Sequence, residues 1–108
     1  MIMNNDFDTH EVMRRTAQGA ADILHCLANG DRLLLMCRLT QGEANVAQLE
    51  SEVGIHQPTL SQQLGVMRRL ELVETRREGK QIFYRIEDER VLILLKTLCS
   101  LYCAKPNT

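Results

Sequence analysis

The sequence predicts a mainly α-helical domain with one β-hairpin placed before its last helix, on three observations. Apolar residues recur at helical spacing from Val12 to Leu70, the period shortens to two between Val73 and Ile86, and a broad apolar run follows Asp88. With 108 residues, 44% of them hydrophobic, the chain has one modest core to build, so a single domain over residues 1–108 is expected.

Asp8 with Glu11 three residues on forms a capping-box pattern that opens the first helix, which carries Val12, Ala20, Ile23, Leu24 and Leu27 on one side. Asn29 or Gly30 ends it. The second helix, Asp31 to Leu39, is expected to turn Leu33, Leu34, Met36 and Cys37 inward and to stop near Gly42. Asn45 with Gln48 caps a third helix whose Val46, Leu49 and Val53 repeat before Gly54. A fourth opens at Pro58, whose missing N–H has no partner to lose in a first helical turn, and runs to about Leu70.

Val73 and Thr75, then Ile82, Tyr84 and Ile86, mark two strands. The polar turn between them, Arg77-Glu78-Gly79-Lys80-Gln81, has a basic tip and a glycine that adopts positive φ readily. The last helix starts near Asp88 and carries Val91 to Leu95, Leu98, Leu101 and Tyr102. Apolar nearly all round, it needs cover on two sides, which one small chain does not supply.

Two short helices joined through Val53-Gly54-Ile55 form a helix-turn-helix pattern over about 46–70, locked by Leu49, Val53, Ile55 and Leu60. Glu50 stands four positions before the turn glycine, where a small residue is usual. A net charge of −1 argues against nucleic-acid binding, but the distribution matters more: His56 to Leu70 contains Arg68 and Arg69 and no acid. Gln57, Thr59, Ser61, Gln62 and Gln63 offer neutral donors and acceptors suited to base edges and phosphate oxygens, or form an ordinary solvated helix face. A basic-tipped hairpin at about 72–87 favours the first reading, because Arg77 and Lys80 would add cationic contacts in the adjacent minor groove. The expected architecture is therefore a winged helix-turn-helix, and the expected partner is double-stranded operator DNA.

The run Gln57-Pro58-Thr59-Leu60-Ser61-Gln62-Gln63-Leu64, with Val73-Glu74-Thr75-Arg76-Arg77 and Gln81-Ile82-Phe83-Tyr84-Arg85, resembles the ArsR family of winged-helix repressors over almost the whole chain. That resemblance implies a homodimer built from the first and last helices, here about 8–28 and 88–103. Many such proteins hold metals through cysteines in the first motif helix or through Asp and His on the last helix. Asn45 and Ala47 occupy the former positions and the last helix has no histidine, so neither site is expected.

Cys37 and Cys103 are similar in placement to the pair of the family's sulfide-responsive branch, the biofilm-growth-associated and sulfide:quinone reductase repressors. The resemblance implies that they are sensor thiols for reactive sulfur species and that bridging them releases DNA. On position alone Cys37 reads as a core residue, since free cysteine is among the most buried types. Cys26, beside Leu24 and Leu27, reads as packing. Cys99 and Cys103, four apart on one helix, have Cβ atoms about 5 to 6 Å apart, beyond the roughly 3.5 to 4.5 Å of a disulfide. A soft ion such as arsenite or zinc shared by Cys37, Cys99 and Cys103 stays open, as does a peroxide-responsive switch.

His10, His25 and His56 show no ligand spacing with these cysteines. No cofactor and no enzymatic activity are expected, because no histidine or cysteine-pair motif lies near Cys37; a thiol enzyme and an interaction module that ignores DNA are the other classes weighed. The polar stretch from Met1 to His10 and the lack of any apolar run of about 18 residues predict a cytoplasmic protein with no membrane partner.

Overall fold

The computed structural model describes residues 8–102. Within them the chain runs α1 (Asp8–Leu27), α2 (Gly30–Leu39), β1 (Ala44–Asn45), α3 (Val46–Val53), α4 (Thr59–Arg69), β2 (Glu74–Glu78), β3 (Gln81–Arg85) and α5 (Glu89–Tyr102). This is the mainly helical, hairpin-bearing winged helix-turn-helix that the periodicity predicts.

Local chemistry sets most boundaries. The Asn29 side chain caps α2 by accepting from the Arg32 N–H at 3.0 Å. Asn45 and Gln48 exchange hydrogen bonds of 2.8 Å in a complete capping box at the start of α3. Asp88 stands just before α5, its carboxylate accepting from the Arg90 N–H at 2.8 Å and its carbonyl from the Leu92 N–H at 3.1 Å. Pro58 lies one position outside α4 rather than within its first turn, at the N-cap.

The end of α4 carries a feature with no sequence signal. Leu72 donates to the Met67 carbonyl at 2.9 Å and Glu71 to that of Arg68 at 3.0 Å, the paired bonds of a Schellman cap. Glu71 thereby takes φ +60, the left-handed position that glycine usually fills. Leu72 and Met67, both buried, close the cap from the core side.

The sheet has the order β1-β3-β2, antiparallel throughout, with Thr75 opposite Tyr84 and Ala44 opposite the other edge of the same tyrosine. The two-residue β1 was not expected; a pair of residues is too short to show a period. The hairpin is tighter than expected, since Glu78 and Gln81 still pair and only Gly79-Lys80 turn, with positive φ at the glycine alone.

Leu35, Met36 and Leu39 of α2, Leu49 of α3, Leu60, Leu64 and Met67 of α4, Tyr84 of β3, and Val91 and Leu95 of α5 meet in one core. The register of α2 corrects the expected inward set: Leu35 is fully buried and Leu34 is exposed, with Leu33 and Cys37 half-buried at the edge. An apolar tetrad such as Leu33-Leu34-Leu35-Met36 leaves a helical face ambiguous by one residue, and packing against α4 and α5 decides it. Among the described residues no helix is long and apolar enough to cross a membrane.

Candidate nucleic-acid interface

The turn between α3 and α4 is closed by buried Leu49, Ile55 and Leu60, while Gly54 takes φ +80 and donates to the Glu50 carbonyl at 3.1 Å. Glu50 fits because its side chain leaves the helix crossing: Oε2 lies 3.2 Å from His56 Nδ1 on the outer side of the turn. His56, which sequence spacing left without a role, braces the turn from outside.

Along α4 the sequence-predicted residues separate. Gln62, Ser61, Arg68 and Arg69 are exposed. Gln57, also exposed, turns its Oε1 back to accept from the Ser61 N–H at 3.0 Å, supplying the cap that Pro58 cannot. Thr59 is half-buried. Gln63, half-buried too, gives its Oε1 to Arg32 Nη1 at 3.1 Å. The 11 residues of α4 span about 16 Å, so Arg68 and Arg69 stand at the end opposite Gln57, where cations also complement the helix dipole.

Arg77 and Lys80 are exposed on the hairpin, and among the described residues neither makes an ion pair, nor do Arg68 and Arg69. Arg76 is different. It grips Glu43 bidentately at 2.7 and 2.8 Å, reaches Glu78 at 2.9 Å, and stacks over Phe83 at 4.5 Å. The Arg76 hydrogen bond holds the Glu43 carboxyl below its ordinary range, and that of Glu43 raises the guanidinium. With Asn45 Nδ2 donating to Gln81 Oε1 at 3.0 Å, these contacts fix the hairpin to the start of α3. Sequence reasoning passed over Arg76 and Glu43 because 33 residues separate them.

Cys37 and Cys99 meet across α2 and α5, with Cys99 Sγ 3.0 Å from Cys37 Sγ. Both are half-buried, as is Cys26 on α1. Cys103 lies outside the described residues. Among those described, no cluster of three or more Cys, His, Asp or Glu side chains could hold a metal ion.

A row of apolar side chains remains at the surface of the single chain: Val12, Met13 and Leu24 on α1, and on α5 Ile93 (58% exposed), Leu101 (69%) and Tyr102 (82%). Ala20, Ile23 and Leu24 face Val91 and Leu94 across an open groove between the two helices.

The locked helix pair followed by a braced hairpin defines a winged helix-turn-helix regulator. Residues 29–75 match the family model described as bacterial regulatory protein, arsR family. Over 97 residues, 90% of this chain and 85% of the relative, the sequence is 46% identical to the Biofilm growth-associated repressor of Xylella fastidiosa (strain 9a5c). The fold matches the crystal structure of the transcriptional repressor BigR from Xylella fastidiosa with a TM-score of 0.81 at 46% identity, covering 90% of this chain and 99% of that one. It also matches, at 0.65 and 29% identity over 93% and 89% of the two chains, the solution structure of a homodimeric winged helix-turn-helix DNA-binding domain from Mycobacterium bovis, a possible ArsR-family regulator.

The chain belongs to the arsR family of bacterial regulatory proteins. These relatives are transcriptional regulators and not enzymes.

Proposed function

We propose that the chain is one homodimeric DNA-binding domain, a cytoplasmic transcriptional repressor that senses reactive sulfur through Cys37 and Cys103 and releases its operator when the two are bridged. The observation that carries the sensing is the contact between α2 and α5 at Cys37: the sulfur of Cys99 is 3.0 Å away, and Cys103 follows Cys99 by four residues in the sequence. A thiolate modified at Cys37 needs a second thiol within reach; Cys99 of α5 shows that thiols of this part of the chain approach it, and Cys103 is the next cysteine in the sequence.

DNA binding falls to α4 and the wing. Ser61, Gln62 and the Gln63 amide face base edges, Gln57 and Thr59 help to set the register, and Arg68, Arg69, Arg77 and Lys80 meet phosphates or the adjacent minor groove. The exposed apolar rows of α1 and α5 are the surface a second copy covers, in keeping with the homodimeric relative. Two α4 helices then read half-sites about 34 to 36 Å apart.

A bridge between Cys37 and Cys103 changes how α5 sits on α2, and with it the angle between the two reading heads. A coupling of about 1 to 3 kcal/mol lowers affinity by roughly 5- to 150-fold. Gel shifts of wild type, Cys37→Ser and Cys103→Ser before and after polysulfide test this reading. Release confined to wild type supports it, and equal insensitivity of all three sinks it.

A further inference from the structure

We propose that Cys99 is a resolving thiol for Cys37, closing a direct disulfide that discharges an oxidised Cys37 without moving α5 on α2. The inference rests on the reading of Cys37 as the reactive thiol, and it gives a role to a cysteine which that reading leaves idle. Its basis is distance. The two sulfurs, 3.0 Å apart across the helix contact, need to close by only about 1 Å to reach the roughly 2.05 Å of a disulfide. Cys37 is seated at the edge of the core, and Leu95, one turn before Cys99, is fully buried, so the backbones on both sides of the contact are held. Both sulfur-bearing residues are half-buried, leaving a path for a small oxidant.

With a peroxide, the Cys37 thiolate attacks one oxygen. An S–O bond forms, the O–O bond breaks, and the alcohol or water leaves with a proton, giving a sulfenic acid. The Cys99 thiolate then attacks the Cys37 sulfur: the S–S bond forms, the S–O bond breaks, and hydroxide departs as water. Two thiols have lost two electrons and the peroxide has gained them.

The consequence is selectivity. A direct Cys37–Cys99 link locks the helices in the arrangement they already have, whereas a sulfur-bearing bridge to Cys103 imposes a new one. Oxidants that leave no sulfur behind are thereby discharged while the operator stays bound.

Full-length Cys103→Ser, which lacks the proposed sulfur bridge, isolates this step from the sensing reading. After one equivalent of hydrogen peroxide, peptide mapping should find Cys37 linked to Cys99, with DNA affinity within about twofold of the reduced protein. In the Cys99→Ser, Cys103→Ser variant the linked peptide should vanish and dimedone should trap Cys37 sulfenic acid at least tenfold more. Cys99→Ala in place of Cys99→Ser guards against a folding defect. Unchanged dimedone trapping with no linked peptide in Cys103→Ser would overturn the resolving role, and a linked peptide with affinity lost more than twofold would overturn the silent discharge. Neither result touches polysulfide-driven release in the wild type, which stands or falls on Cys37 and Cys103.

Discussion

Arg32 of α2 joins two other helices: its Nη1 donates to Gln63 Oε1 of α4 at 3.1 Å, and its Nε donates to the backbone carbonyl of Cys26 at the end of α1. The helix that carries Cys37 is thus hydrogen-bonded directly to α4, the helix proposed to read DNA. The bond also occupies the acceptor of Gln63, leaving its amide N–H groups as the part available to a base.

Replacing Arg32 with Met keeps the stem and removes both bonds. A hydrogen bond to a charged group contributes about 1.5 to 3 kcal/mol, so urea unfolding of Arg32→Met should show a loss of that order at an unchanged m value. A loss below about 0.5 kcal/mol would mean that Arg32 is only a surface side chain.

The exposed positions on α4 and the wing should divide by what they touch. Each phosphate contact contributes about 0.9 to the slope of log affinity against log salt, so Arg77→Ala and Lys80→Ala should each flatten the slope by roughly that amount at every DNA sequence. Gln62→Ala should leave the slope alone and relax preference at one base pair, by about 1 to 3 kcal/mol. A change in slope from Gln62→Ala would reverse the assignment.

Glu71 gives a stability prediction. The left-handed region costs a side-chain-bearing residue about 1 to 2 kcal/mol, and glycine gives back about 0.5 to 1 kcal/mol through unfolded-state entropy, so Glu71→Gly should stabilise the fold by about 0.5 to 1 kcal/mol. Thermal unfolding measures it, and a fall in stability would show that the Glu71 side chain contributes more than its backbone costs.

The wing anchor should be acid-labile. Because the Arg76 hydrogen bond lowers the Glu43 carboxyl from its ordinary 4.5, the stabilisation is full above that value and is lost as pH falls through the lowered folded value. Asp88, lowered to about 2 chiefly by the Arg90 side-chain hydrogen bond, behaves likewise from 3.8 downward. Wild type should therefore melt above Glu43→Gln at neutral pH, with the gap narrowing below pH 4.5. A gap that widens in acid would contradict the pairing.

Much of this architecture was legible in the chain because short-range chemistry specified it. The Asn45-Gln48 capping box, the Gly54 turn and the alternation around Tyr84 each lie within a few residues. What stayed hidden depends on residues far apart in sequence. Glu43 and Arg76 meet only once β1 joins β3, and Arg32 finds Gln63 only when α2 packs on α4. Leu34 and Leu35 exchanged inside for outside because four successive apolar residues carry no phase of their own. At the thiols, the resemblance singled out Cys37 and Cys103, while Cys99 entered only as a co-ligand of a shared soft ion, and the 3.0 Å approach of its sulfur to that of Cys37 depends on how α5 packs on α2.

Bridging Cys37 of α2 to Cys103, and not to Cys99, should cost the dimer its operator. Fluorescence anisotropy on a duplex selected by the reduced protein from a random pool, titrated with polysulfide and then with dithiothreitol, tests it most directly. Affinity should fall roughly 5- to 150-fold as one bridge forms per chain and return on reduction, with no response in Cys37→Ser. DNA that stays bound while Cys37 and Cys103 become fully bridged would overturn release by the bridge.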